Sequence, residues 1–162
     1  MKKIALIFAL IALSISAMAQ DGKSIYNKFS NEEGVSAVYI SPAMFRLFGK
    51  IPETKVEEIV RRMNLSPLIQ SLTGMYLLSS DNPKVCEKLR NEASKFVKSK
   101  KYELLMEAKE SGETVTMYTI GNEKTVNGLV FLATESDEVS FICLDGNMDR
   151  KKFEETVASF SK

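Results

Sequence analysis

Three pairs of adjacent acids, Glu32–Glu33, Glu57–Glu58 and Glu154–Glu155, have the side chains that glycoside hydrolysis needs, two carboxyl groups flanking one bond. Adjacent residues on a helix point in different directions, however, and all three pairs lie where solvated charges are expected. The chain has no histidine, which removes the commonest general base, the usual partner of a serine or cysteine nucleophile and the commonest zinc ligand. Ser80-Asp81-Asn82 matches one element of the penicillin-binding serine enzymes, which also need an S-x-x-K nucleophile motif and a K-T-G strand. S-x-x-K occurs only as Ser159 to Lys162, and Lys124-Thr125 is followed by Val126, so Asn82 is expected to cap a helix begun by Pro83. Asp145-Gly146-Asn147-Met148-Asp149 imitates the start of a calcium loop, but Arg150 stands where that loop needs glycine and Thr156 where it needs glutamate. Gly146 is expected to make a strand-to-helix turn and Asp149 to cap the last helix. Neither a GxGxxG nor a GxxxxGK[ST] run occurs, and no catalytic residue, metal or cofactor is expected.

Two groups remain as candidate sites. Met44, Phe45, Leu47, Phe48 and Ile51 place five large apolar side chains within eight residues, either as a buried turn of helix or as a patch that recruits a partner or an apolar ligand. Cys86 and Cys143 permit a single disulfide in an oxidising compartment. Their apolar settings, a helix face for Cys86 and a strand for Cys143, equally suit free thiols acting as small hydrophobes.

The compartment is read from the start of the chain. Lys2 and Lys3, the apolar run Ile4 to Ile15 and the small-x-small site Ala17-Met18-Ala19 have the layout of a secretory signal peptide over residues 1–19, so the protein is expected to be secreted, periplasmic or extracellular. Cleavage would leave residues 20–162 as one domain, with 20 basic and 21 acidic side chains. That balance argues against a nucleic-acid binder, which needs a concentrated basic face. The longest later apolar run, Leu129 to Ala133, is of strand length, so no transmembrane segment is expected after processing.

The elements that would position these residues follow from periodicity and punctuation. Ile25 and Phe29 suit a brief helix, Val35 to Ile40 a strand, and Ser41-Pro42 the start of a helical turn closing at Gly49. Thr54 and Glu57 form a capping box before a stripe of Val56, Ile59, Val60 and Met63. Leu68 to Ser79 reads as a strand weakened at Gly74 or as an extended approach to a strand at Met75 to Leu78, and Val85, Cys86, Leu89, Ala93, Phe96 and Val97 as the apolar face of a helix. Tyr102 to Lys109 alternates as a half-buried strand with Tyr102, Leu104, Met106 and Ala108 on one face. Turns at Ser111-Gly112, Gly121-Asn122 and Ser136-Asp137 separate strands near 114–120, 126–134 and 139–144, followed by a helix near 150–160. The predicted class is α+β: an antiparallel sheet with a C-terminal four-strand meander and amphipathic helices packed mainly on one face. Val130 and Leu132 should share one face, with Leu129, Phe131 and Ala133 on the other. Such doubly apolar strands are either covered on both sides or shared with a second copy in a homodimer.

Tyr26-Asn27-Lys28-Phe29, Gly34-Val35, Val38-Tyr39-Ile40-Ser41 and Met44-Phe45, with a late strand-rich half ending in Leu144-Asp145-Gly146, resemble a family of small exported bacterial proteins known only as a domain of unknown function. The resemblance implies no activity and no catalytic residues. Some relatives carry a lipid-attachment cysteine, a pattern from which this chain departs, since its first cysteine is Cys86. The expected function is that of a non-catalytic envelope protein binding a protein or small ligand, in envelope sensing or stress response. The alternative is a hydrolase working through carboxylates or serine without histidine.

Overall fold

Helices form where an apolar stripe is preceded by a capping side chain. A computed structural model describes residues 22–48 and 66–158. Within them, α1 (Gly22–Phe29) turns Ile25 and Phe29 inward. Ser41 caps α2 (Pro42–Phe48), its hydroxyl accepting from the Met44 amide. Asn82 caps α3 (Pro83–Ser99), its side-chain oxygen accepting from the Lys84 amide at 3.1 Å, with Pro83 in the first turn. A short 3₁₀ helix, η1 (Ser66–Ser71), occupies the start of the segment expected to be extended from Leu68. The helix predicted from Thr54 and the segment 1–19 lie outside the described residues.

Six strands make one sheet: β1 (Val35–Ile40), β2 (Leu72–Ser80), β3 (Glu103–Glu110), β4 (Glu113–Gly121), β5 (Thr125–Thr134) and β6 (Val139–Asp149). Their order is β1-β2-β6-β5-β4-β3 and every neighbouring pair is antiparallel, so β3 to β6 form a four-strand meander joined by short turns. Asn122 makes one of these turns, its side-chain oxygen accepting from the amides of Lys124 and Thr125. The final helix, α4 (Arg150–Ala158), starts where the Asp149 carboxylate accepts from the Lys152 amide at 3.0 Å. The fold is therefore α+β. No helix among the described residues is long and apolar enough to cross a membrane.

Register sorts the core into two layers. Tyr39, Tyr76, Cys143, Val130 and Tyr118 face one another in a row across five strands, and Ile40, Met75, Leu144 and Leu129 form a row on the other face. The first layer is closed by α1 and α3 through Ile25, Phe29, Leu89, Ala93 and Phe96. Phe45 of α2, Leu68 and Ile69 of η1 and Phe153 of α4 close the second. The apolar faces of β5 and β6 are thus both covered within one chain: Leu129, Val130, Phe141 and Cys143 have no exposed surface. Gly22 lets α1 descend onto the sheet, because a Cβ there would collide with the Cys143 side chain.

Two local readings are corrected. Gly146 lies inside β6 rather than in a turn, opposite Leu72, and a Cβ on it would come within 2.6 Å of the Ser71 carbonyl oxygen. Glycine here serves a close backbone approach, and the strand runs on to Asp149. The other correction concerns β3, all eight residues of which are exposed, including Leu104 (55 %), Leu105 (42 %) and Met106 (43 %). It is an edge strand, and the helices pack on β1, β2, β5 and β6, leaving β3 beyond their cover. A bulge at Leu105 also breaks the predicted alternation. Leu104 lies opposite Tyr118 and Met106 opposite Met117, neighbours on β4 that belong to different layers, so Leu104 and Met106 point to opposite faces.

Candidate functional site

The predicted apolar patch divides between the core and a cleft. Phe45 is buried in the second layer and Met44 packs half-buried beside it, while the side chains of Leu47 and Phe48, and Ile51 altogether, lie outside the described residues. Next to Phe45 a cleft of about 450 Å³ opens between α2, η1 and the start of β2. It is lined by the apolar Pro42, Phe45 and Leu72 and the polar Arg46, Gln70, Ser71 and Thr73. The size suits a small molecule. A guanidinium, an amide and two hydroxyls beside an apolar floor can hold an anionic group by charge-assisted hydrogen bonds while a hydrocarbon part lies on Phe45 and Leu72. Among the described residues no carboxylate or thiol lines this cleft, and those that do line it include no group suited to general-base work.

A second groove, of about 410 Å³, runs between α1 and α3 and is lined in part by Ile25, Lys28, Glu92, Lys95 and Phe96. Glu92 is clamped there by Lys28 Nζ at 2.7 Å and Lys95 Nζ at 3.2 Å. Hydrogen bonds from Lys28 first and Lys95 second hold its carboxyl below the usual carboxylate range. A carboxylate so stabilised is a poor proton acceptor near neutral pH, and the arrangement joins two helices rather than building a reaction centre.

The remaining sequence candidates have structural places. Ser80 of the Ser-Asp-Asn run donates to the Gly34 carbonyl at 2.7 Å and accepts from the Asn82 amide at 3.1 Å, tying the start of β1 to the start of α3. Glu32 faces Lys88 at 3.8 Å and Glu154 faces Arg150 at 3.8 Å, while Glu33 and Glu155 are exposed. Glu57 and Glu58 lie outside the described residues. Cys86 and Cys143 are buried and form no disulfide with each other. Cys86 Sγ sits 3.1 Å from the Ser80 carbonyl, and Ser80 lies opposite Val139, four residues along β6 from Cys143. Four strand residues span about 13 Å, roughly twice the reach of a disulfide between Cα atoms.

Sequence reasoning missed a cluster of three tyrosines. Tyr39 of β1 stacks on Tyr76 of β2 with centroids 5.1 Å apart and ring planes at 14°, and Tyr26 of α1 leans on both at 6.1 and 5.8 Å. Only the direct pairing of Tyr39 with Tyr76 brings these rings together, and that register is invisible in either strand alone. Arg46 and Gln70 of the cleft were equally hidden, being ordinary polar residues until α2 and η1 are set side by side.

Neither the curated proteins nor the solved structures contain a match to this chain. Residues 26–156 match the family described as a domain of unknown function, DUF4252, a span that takes in every strand of the sheet and most of the helical cover, and the chain belongs to that family.

Proposed function

We propose that this is an exported, non-catalytic protein of the bacterial envelope that binds a small amphiphile with an anionic end, in envelope sensing or stress response. The observation that carries the reading is the cleft lined by Arg46 and Gln70 together with Pro42, Phe45 and Leu72. A structural rather than reactive role for the groove between α1 and α3 is supported by its Glu92 carboxylate, which is tied to Lys28 and Lys95.

Calorimetry with dodecanoate, using dodecanol as the uncharged control, tests the cleft. Dodecanoate should bind and dodecanol should bind at least about tenfold more weakly, with Arg46→Gln reducing dodecanoate affinity by a similar factor. Equal binding of acid and alcohol, or indifference to Arg46→Gln, would remove the anion from the proposal. Robust ester or glycoside turnover lost on one point substitution would replace the binding reading with the hydrolase.

Export rests on the tripartite start of the sequence. Intact-mass analysis of the natural protein after alkylation under denaturing, non-reducing conditions should find a chain beginning at Gln20 with both cysteines alkylated. A predominant Met1 form would refute export, and an unalkylated pair would show that the two cysteines are bonded.

A further inference from the structure

We propose that β3 pairs with β3 of a second copy of this chain, about a two-fold axis normal to the sheet at Ala108, joining two six-stranded sheets edge to edge. This stands on observations separate from the cleft. Beta3 is one of the two edges, and among the described residues no strand lies beside its outward backbone groups. All eight of its residues are exposed. The apolar residues on this edge are Leu104, Leu105, Met106 and Ala108.

The bulge selects the part of β3 that can pair with itself. A two-fold axis normal to the sheet keeps each face on its own side, so residues opposite one another must share a face. Glu103 and Leu104 alternate in one parity and Met106 to Glu110 in the other, because Leu105 is the inserted residue. The stretch able to pair with its own copy without interruption is therefore Met106 to Glu110, and its centre is Ala108.

Charge then selects the register. Centred on Ala108, each Glu107 faces Lys109 of the other copy, so two opposite-charge pairs flank a small residue on the axis. Each Lys109 already meets its own Glu107 at 2.9 Å, and pairing would close these four side chains into one alternating ring on a single face. Shifting the axis by one residue to Glu107 sets Glu107 against Glu107, and shifting it to Lys109 sets Lys109 against Lys109. In the Ala108 register Leu105 falls opposite Ser111 of the other copy, next to Gly112, which has open space where a side chain would stand.

Sedimentation or light scattering of the mature chain over a concentration series tests the proposal, with charge reversal as the discriminating step. The unmodified protein should dimerise. Glu107→Lys and Lys109→Glu should each raise the dissociation constant by at least about tenfold, and the double variant carrying both should restore the dimer. Ala108→Cys should crosslink two copies under oxidation. All these side chains are exposed, so near-ultraviolet circular dichroism should be unchanged and loss of the dimer cannot be misfolding. A monomer at every concentration, a dimer indifferent to single reversals, a double variant that stays monomeric, or assembly beyond two copies would each overturn the pairing.

Discussion

Val130→Asp should yield no cooperatively folded protein. Val130 has no exposed surface and stands in the middle of the row that runs from Tyr39 through Tyr76 and Cys143 to Tyr118, in the layer covered by α3. A carboxylate placed there has no cationic partner in that layer and must either ionise in an apolar medium or take up a proton, at a cost of several kcal/mol. Domains of this size are stable by about 5–15 kcal/mol in all, so most of the margin is lost in one step. Circular dichroism on heating should show no cooperative transition. Leu104→Asp, at the far end of the same row but more than half exposed, should melt within about 0.5 kcal/mol of the parent. A cooperative, near-native melt for Val130→Asp would mean that water reaches the space under α3.

Phe141→Ala should fold, with a loss of about 3–5 kcal/mol. Phe141 is fully buried on β6 between Leu78 and Leu132, and its ring meets Phe96 of α3 edge-on at 6.3 Å and 82°. Truncation removes both the transferred area and a ring-to-ring contact of about 0.5–1.5 kcal/mol. The urea midpoint should fall while the slope of the transition is preserved, because the surface exposed on unfolding hardly changes. A loss under about 1 kcal/mol would show that α3 slides inward to fill the space.

Much of this architecture could be read before any coordinates, where local chemistry decides it. Asn82-Pro83 and the stripe through Leu89 specify α3, and apolar runs bounded by Gly121-Asn122 and Ser136-Asp137 specify β5 and β6. What local chemistry cannot say is which element lies over which. Beta3 alternates like a half-buried strand, yet its place at the sheet edge leaves it uncovered, and the inserted Leu105 undoes the alternation itself. Gly146 looks like a turn residue until the Ser71 carbonyl is set against it from another part of the chain. The cleft has the same character. Phe45 stands out as part of an apolar cluster, but Arg46, Gln70 and Thr73 acquire a role only once α2 and η1 are neighbours.

The placing of β6 at the centre of the sheet has a consequence for the order of assembly. The turns linking β3 to β4, β4 to β5 and β5 to β6 are short, so the meander can close from local contacts. Beta1 and β2 can pair with each other, but they join the sheet solely through β6, the last strand to be synthesised. Alpha1, near the other end of the sequence, likewise rests on Cys143 of that strand. Closing so long a loop places the slow step late, after the C-terminal half exists. A chain cut before Val139 would be left as two separate sheets whose facing edges have lost the strand between them, and a chain exported while still unfolded would be kept from completing its core until its final strand had arrived.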